Sequence, residues 1–330
     1  MSEIFTIANF LQNETRFPVV LATLVSVQGS SYRREGARRV ICPDGRAMGS
    51  ISGGCLEEDL SGHALNLLES GRSYETITYD TTSENDLVWG VGTGCHGIVK
   101  IFLEKLDSAP DWAGEIIRAA QKRHSLALAT PREPNETDEA IPKTSLCDLN
   151  TEPAGTHVQT ISPPRRVIIF GAGDDAIPLC AQITTLGWDA VVCDPRAQLV
   201  TRERFLSATQ VMELPVEESA TRFEWDDHTV AVVMTHHYRF DLPILRALVP
   251  LHLPFLGLLG PKARGQRLLR DAGFDPAVTD LHNPIGLDLG GDGPAAIALA
   301  IVAEIQARLN HRSARPLRER NSPIHATETE

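Results

Sequence analysis

The feature that most constrains the fold is a strand, a glycine turn and a helix in the second half of the chain. A buried-type strand, Arg166–Phe170, precedes the turn Gly171-Ala-Gly-Asp-Asp-Ala176 and an apolar helix that ends at Gly187. The next apolar strand, 190–193, leads into Asp194, 23 positions after the first glycine. A G-x-G-x-x-A turn in this setting is typical of nucleotide-binding βαβ units. The pattern therefore predicts a Rossmann-like, doubly wound parallel sheet.

Strand and helix patterns continue to alternate after this unit, whereas the first half of the chain has a different order. The second half continues with segments at 229–234, 242–249, 255–259, 262–272 and 295–309. The first half has strand patterns on both sides of one long helix, 56–70, which predicts a small α+β domain. We therefore expect an α/β protein with an α+β domain at 1–149, a linker at 150–164, a Rossmann-like domain at 165–311 and a polar tail at 312–330.

Charge and cysteine spacing exclude several classes of protein. The 330 residues carry a formal net charge of −12, which argues against a broad surface for nucleic acid or anionic membranes. The first residues lack the basic and apolar regions of a secretory signal, and no segment has the length of a membrane span, so we expect a cytoplasmic protein. None of the six cysteines is in a C-x-x-C pair. Reduced thiols are therefore expected rather than disulfides or a structural zinc site.

Two glycine-rich loops place a cysteine among residues with almost no side chain. Glycine lets a backbone approach a ligand closely, and a cysteine held there can act as a soft donor or nucleophile. The alternative is that both loops are ordinary turns with packed cysteines. We hypothesise that Cys55 and Cys95 face one cavity between the domains and ligate a metal there. The loops are Gly49-Ser-Ile-Ser-Gly-Gly-Cys55-Leu-Glu57 and Gly90-Val-Gly-Thr-Gly-Cys95-His-Gly97, and their candidate ligand contacts are Gly53, Gly54, Cys55, Glu57, Gly94 and Cys95.

The predicted Rossmann-like turn offers a second set of candidate contacts. The helix after Gly171 and Gly173 presents free N–H groups to a phosphate. Two carboxylates in the same turn, Asp174 and Asp175, oppose phosphate binding unless one caps the helix or faces away. Asp194 can accept a hydrogen bond from a ribose hydroxyl, or it can simply end its strand in a turn.

Four further polar residues are candidate contacts. His236 follows a strand pattern of the second half, and ligands of such sheets bind at the carboxyl ends of strands. Its imidazole can contact a phosphate, act as a base, bind a metal or order its own loop. Arg196 can meet a phosphate, and Arg33, in a loop of the first half, can meet a phosphate or a carboxylate. His282 lies in a glycine-containing loop that would suit the wall of a site.

A series of short segments, taken in combination and in order, carries a resemblance that covers nearly the whole chain apart from the linker and the tail. The segments are Gln28-Gly-Ser-Ser-Tyr-Arg33 with Gly36-Ala-Arg38, Gly49-Ser-Ile-Ser-Gly-Gly-Cys55-Leu-Glu57, Gly92-Thr-Gly-Cys95, Gly171-Ala-Gly173, Asp194-Pro-Arg196, Met234-Thr-His236, Gly257-Leu-Leu-Gly260, and His282 with Pro284-Ile-Gly-Leu-Asp288. Together they resemble the XdhC/CoxI family of xanthine dehydrogenase accessory proteins.

The resemblance implies an N-terminal XdhC-type domain, a C-terminal Rossmann domain and a homodimer. It also implies that the protein holds the molybdenum cofactor, supports its sulfuration with a cysteine desulfurase and inserts it into a xanthine dehydrogenase-type molybdenum hydroxylase. Backbone N–H groups suit the phosphate of molybdopterin, and a cysteine thiolate suits its molybdenum or a mobile sulfur. On this interpretation the protein is a cofactor carrier more than a catalyst.

Two other functions fit parts of the sequence. An NAD(P)-dependent oxidoreductase would use the glycine turn and Asp194 for its cofactor, with a histidine at a strand end as acid or base. Asp174 and Asp175 count against it. A non-catalytic nucleotide sensor would bind nucleotide without metal, and it leaves the two cysteine-bearing loops unexplained.

Overall fold

The computed structural model describes residues 3–80, 97–132, 134 and 141–320. The chain divides into two compact units, Ser2–Pro163 and Pro164–Glu330, here named the N-terminal unit and the C-terminal unit. Each unit has its own buried hydrophobic clusters. No helix in the described ranges combines the length and the apolar character that crossing a lipid bilayer requires.

The N-terminal unit contains helices and two antiparallel sheets, as the α+β pattern of this half predicts. The described helices are α1 (Glu3–Asn13), α2 (Glu57–Ser70) and α3 (Asp111–Gln121). The described strands are β1 (Val19–Gly29), β2 (Arg38–Ile41), β3 (Ala47–Gly49), β4 (Tyr74–Asp80), β5 (Gly97–Leu106), β6 (Leu126–Pro131), β7 (Ser145–Cys147) and β8 (Thr156–Ile161). Five form a sheet in the order β3-β2-β1-β5-β4, and three form a second sheet in the order β7-β6-β8.

The five-stranded sheet separates two hydrophobic clusters because successive side chains of a strand point to opposite faces. On β1, Ala22 and Leu24 pack in the cluster that includes α2. Val19 and Leu21 pack on the other face, in the cluster that includes α1 and α3. Helix α2 is followed by Gly71, whose φ of 74° gives a left-handed C-cap, a conformation that favours glycine.

Strand β8 lies inside the segment 150–164, so the prediction of a linker throughout that segment is wrong. The strand pairs antiparallel with β6, and its last residue, Ile161, is buried. The segment contains three prolines, which are typical of linkers, but Pro153, Pro163 and Pro164 flank the strand and do not interrupt it. Because β8 is short and only partly buried, its sequence has no strong apolar alternation.

The C-terminal unit is built around one parallel sheet. Its strands are β9 (Arg166–Phe170), β10 (Asp189–Asp194), β11 (Gln210–Glu213), β12 (Thr229–Val233) and β13 (Leu256–Leu258). Their order in space is β11-β10-β9-β12-β13, and each neighbouring pair is parallel. The α-helices are α4 (Ala176–Thr185), α5 (Tyr238–Leu248), α6 (Lys262–Ala272) and α7 (Pro294–Leu309). This topology confirms the predicted doubly wound sheet.

Helices cover both faces of this parallel sheet. Val167 and Ile169 of β9 pack in the cluster with α4 and α7, whereas Ile168 and Phe170 pack in the cluster with α5 and α6. Because α4 follows β9 and α5 follows the neighbouring β12, the chain leaves these two strands toward opposite faces. The carboxyl ends of β9 and β12 therefore border the crevice where ligands of such sheets bind.

Candidate functional site

The loop at residues 50–57, here named the thiol loop, is organised around the carboxylate of Glu57. Oε1 accepts hydrogen bonds from Ser50 Oγ at 2.9 Å and from the N–H groups of the next two residues at 3.1 and 2.9 Å. Oε2 accepts from Gly54 N at 2.8 Å and from Ser52 Oγ. Burial by itself raises the pKa of Glu57. The hydrogen bonds have the larger, opposite effect and hold this pKa at about 2. The loop is thus folded around an anion that the chain itself supplies.

These contacts change the role of Glu57 and of the loop backbone. Of the glycines that the sequence predicts to face a ligand, Gly54 donates its N–H to Glu57 and Gly53 donates to Ser50 Oγ, so the loop uses both groups itself and Glu57 positions it. Gly53 and Gly54 have φ values of 80° and 126°, a region that favours glycine. A Cβ on Gly53 would lie 2.8 Å from the ring of Tyr32. Both glycines are therefore required by the conformation of the loop itself.

Cys55 presents an exposed thiol on this ordered loop. Burial raises the pKa of the three buried thiols elsewhere in the described chain, which disfavours their reactive thiolate form. Among the cysteines that the structure describes, Cys55 is therefore the one best placed to meet a ligand. The others are the buried Cys42, Cys180 and Cys193 and the half-buried Cys147.

Arg33 is linked to the thiol loop through the first helix. Its guanidinium forms an ion pair with Glu3 Oε2, and Glu3 Oε1 accepts a hydrogen bond from Ser50 N at 2.6 Å. The Arg33 side chain keeps 32% exposure. The structure therefore brings Arg33 and the loop of Cys55 to the same region, although the positive charge of Arg33 is already paired.

Gly94 and Cys95 lie outside the described residues. The hypothesis that Cys95 faces the same cavity as Cys55, and that the two ligate a metal, therefore stays a prediction. Within the described ranges, no group of three or more histidine, cysteine, aspartate or glutamate side chains is arranged to hold a metal ion.

In the C-terminal unit, Asp194 holds the glycine turn that follows β9. Its carboxylate accepts hydrogen bonds from Ala172 N at 2.9 Å and from Arg196 N, Nε and Nη2 at 2.9, 2.8 and 2.6 Å. Burial raises the pKa of Asp194, but the hydrogen bonds from Arg196 and Ala172 outweigh it, so the pKa lies below its usual value. The side chain is fully buried. This geometry favours a structural role for the pair and gives no support to the predicted ribose contact of Asp194 or phosphate contact of Arg196.

The glycine turn is shaped by close contacts of its backbone. Gly171 has a φ of 127°, and a Cβ there would collide with the carbonyl of Met234 at the end of β12. A Cβ on Gly173 would lie 2.7 Å from Asp175 Oδ1. The carboxylate of Asp175 therefore lies against the turn, at the start of α4, where the sequence predicts a phosphate.

The two aspartates of the turn are each paired with a basic side chain. His236 donates from Nε2 to Asp175 Oδ2 at 2.7 Å, and this hydrogen bond raises the pKa of His236. His236 also has a φ of 60°, an unfavourable backbone conformation for a residue other than glycine. Asp174 is 93% exposed and pairs with Arg204 Nη2 at 2.7 Å. The turn after β9 and the loop after β12 are thus joined at the carboxyl edge of the sheet.

Replacing Asp175 with asparagine is expected to lower the pKa of His236, because the hydrogen bond to the carboxylate is the main reason that this pKa is raised. The measurement is an NMR titration of the imidazole, with the resonance identified by its loss in a His236→Gln variant. Asp174→Asn is the matched control, since Asp174 pairs with Arg204 instead. An unchanged His236 pKa in Asp175→Asn would contradict the assigned pair.

His282 contributes to the packing of the last part of the sheet. Its Nδ1 donates to Glu304 Oε1 at 2.7 Å, and Glu304 Oε2 accepts from Gly286 N at 2.6 Å. The imidazole stacks on Phe255 with ring centroids 4.1 Å apart. These contacts join the segment between α6 and α7 to the α7 helix, so they favour the structural interpretation of His282 over the predicted ligand contact.

Sequence reasoning missed a buried ion pair beside the crevice. Asp241, in the first turn of α5, is 0% exposed. It accepts a hydrogen bond from Thr235 Oγ1 at 2.6 Å and pairs with Arg264 of α6. The pair fixes the residue that precedes His236. A local pattern could indicate Asp241 near a helix start, but its partner is 23 residues away.

Comparison with known proteins assigns the family. The model of the XdhC and CoxI family matches residues 14–80, and that of the XdhC Rossmann domain matches residues 167–305. A Bacillus subtilis protein described as a probable subunit of xanthine dehydrogenase is 33% identical over 312 residues, which span 88% of this chain and 93% of that protein. The chain belongs to the XdhC and CoxI family. The resemblance seen in the short sequence segments is thereby confirmed.

This XdhC and CoxI family member is also similar to a named cofactor chaperone and to a protein of known crystal structure. The Escherichia coli molybdenum cofactor insertion chaperone PaoD is 25% identical, over 89% of this chain and 84% of its own. A crystal structure described as a xanthine dehydrogenase from Bacillus halodurans is 30% identical. It covers 96% of this chain and 99% of its own, with a TM-score of 0.82.

Proposed function

We propose that this member of the XdhC and CoxI family holds the molybdenum cofactor and inserts it into a molybdenum hydroxylase of the xanthine dehydrogenase type. The exposed thiol of Cys55, on a loop that Glu57 already orders, carries the proposal. The names of two relatives support it, since one is a molybdenum cofactor insertion chaperone and the other is a probable xanthine dehydrogenase component.

The thiol loop has the properties that a carrier needs. A thiolate is a suitable ligand for molybdenum or an acceptor for a mobile sulfur atom, and Cys55 follows two glycines that leave it accessible. Because Glu57 orders the loop beforehand, binding does not have to supply that ordering. A dissociation constant near the micromolar range corresponds to a binding free energy of about −8 kcal/mol. Such an affinity would retain the cofactor and still permit its transfer.

The geometry of the C-terminal unit favours carriage over hydride transfer. Asp194, which a dehydrogenase of this fold would use for the ribose of NAD, is buried and bonded to Arg196 and Ala172. Asp175 lies at the start of α4, where the pyrophosphate would bind. Both features oppose the oxidoreductase hypothesis.

Replacing Cys55 with serine is expected to lower the molybdenum and pterin content of the purified protein at least tenfold, because the hydroxyl is a much poorer soft ligand. The protein is isolated from a molybdenum-replete host, and its content is measured by metal analysis and pterin fluorescence. Cys147→Ser is the matched control, since Cys147 is a half-buried free cysteine on β7 of the same unit. We expect this control to retain the cofactor.

Full retention in Cys55→Ser would show that this thiol is not a principal ligand. A native protein that contains neither molybdenum nor pterin, and binds neither when both are supplied, would contradict the carrier function as a whole. Sulfuration of the cofactor with a cysteine desulfurase, and a homodimer as the working form, belong to the same proposal. They are supported by the family and by a thiol able to accept a transferred sulfur.

A further inference from the structure

The N-terminal unit contains a buried guanidinium without a direct counter-charge among the described residues. Arg38, on β2, is 1% exposed. Its Nη1 donates to Gly36 O at 3.0 Å and to Gln159 Oε1, while Nε and Nη2 have no hydrogen-bond partner in the described part of the chain. Burial lowers the pKa of Arg38 to about 10, which leaves it charged near neutral pH. A buried positive charge with unused N–H groups is costly, and an anionic acceptor would lower that cost most.

The carboxylate that acts most on this guanidinium is already engaged. Glu104, on β5, is 2% exposed. Its oxygens accept hydrogen bonds from Thr144 N at 2.9 Å and from Thr144 Oγ1. Attraction by Glu104 favours the charged form of Arg38, but burial raises the pKa of Glu104 and so disfavours its own negative charge. Glu104 therefore compensates Arg38 only from a distance.

Two more buried polar atoms lie on strands that carry Arg38 contacts, and both lack hydrogen-bond partners within the described ranges. Thr23 of β1 is the register partner of Arg38, so their side chains lie side by side. Thr23 Oγ1 is buried without a hydrogen bond. His157 is two positions from Gln159 on β8 and thus on the same face of that strand. Its Nε2 is also unpartnered, while its Nδ1 lies 3.3 Å from Glu35 Oε2.

We infer that a small monatomic anion of the chloride class binds between the two sheets of the N-terminal unit, held by Arg38 Nε and Nη2 and by Thr23 Oγ1. A water molecule would complete the hydrogen bonds but would leave the buried charge without compensation. Chloride is the test anion of this class because it carries a full negative charge and accepts hydrogen bonds from several donors at once.

The proposed anion site lies beside the segment that supports the thiol loop. Strands β1 and β2 flank the segment 30–37, which carries Tyr32 and Arg33. The ring of Tyr32 lies next to Gly53 of the thiol loop. The anion would therefore stabilise the support of that loop without touching the cofactor.

The test compares the stability of the full chain in sodium chloride and in sodium gluconate at equal ionic strength. For a dissociation constant of about 10 mM, about 200 mM chloride should raise the folded-to-unfolded ratio about 20-fold. Thr23→Val removes one donor at nearly constant volume, and a tenfold weaker site would give about a 3-fold rise. Crystals soaked in bromide should show one anomalous peak beside Arg38.

Thr130→Val is the matched control. Thr130 is equally buried in the same unit, but its hydroxyl is 3.1 Å from Thr144 Oγ1. This variant should lose stability equally in both salts and keep the full chloride effect. Equal stability of the native protein in chloride and gluconate would overturn the inference, and so would an ordered water in place of bromide beside Arg38. Neither result would affect the proposed role in cofactor transfer.

Discussion

Replacing Asp194 with alanine is expected to lower the free energy of unfolding of the C-terminal unit by about 3 kcal/mol. The change removes the acceptor of four hydrogen bonds and leaves Ala172 N and the charge of Arg196 without their partner. Unfolding by urea, followed by circular dichroism, measures the loss. The effect should not depend on added NAD(H), because we assign the carboxylate a structural role.

Glu213→Ala is the matched control for this variant. Glu213 is the parallel register partner of Asp194 and also ends its strand, but its side chain is exposed. We expect its replacement to change the free energy of unfolding by less than about 0.5 kcal/mol. Equal effects of the two replacements would show that the hydrogen bonds of Asp194 to the glycine turn contribute little.

Replacing Glu57 with alanine is expected to disorder the thiol loop and to lower the cofactor content of the purified protein at least tenfold, although Glu57 is not itself a ligand. Five donors lose their acceptor, which should cost about 2 kcal/mol of stability because the loop is partly solvent-exposed. Metal analysis and thermal unfolding give the two quantities. Glu58→Ala is the control, since Glu58 is an exposed neighbour in the same first turn of α2.

The same carboxylate gives the protein a defined acid sensitivity. The pKa of Glu57 falls from 4.5 to about 2 on folding. Its stabilising contribution is therefore fully present above pH 4.5 and is lost as the pH falls toward 2. Discounted for solvent exposure, this contribution is about 2 kcal/mol. In Glu57→Gln the free energy of unfolding should fall less between pH 6 and pH 3, and an unchanged pH profile would contradict the assignment.

The sequence predicts those elements whose signals are local. The strand β9, its glycine turn and α4 follow from one contiguous pattern, and α2 follows from the helical pattern at 56–70. The start of α7 likewise follows from Pro294 in its first turn. In each case the deciding residues lie within a few positions of one another.

The remaining elements depend on contacts between distant segments. The short strands β7, β8 and β11 have no strong apolar alternation, because much of each strand is exposed or only half-buried. Pairing with neighbouring strands defines them instead. For the site, the exposure of Cys55 could be anticipated from its glycine neighbours. The engagement of Asp194 by Ala172 could not, since it joins residues 22 positions apart.

The pairing of β8 with β6 also determines where this protein can be divided into separately expressed halves. A fragment ending at residue 149 would lack β8 and leave one side of β6 without its hydrogen-bonding neighbour. Unpaired strand edges of that kind promote association with other chains. A fragment that retains Ile161 and stops at the Pro163–Pro164 boundary keeps the three-stranded sheet whole.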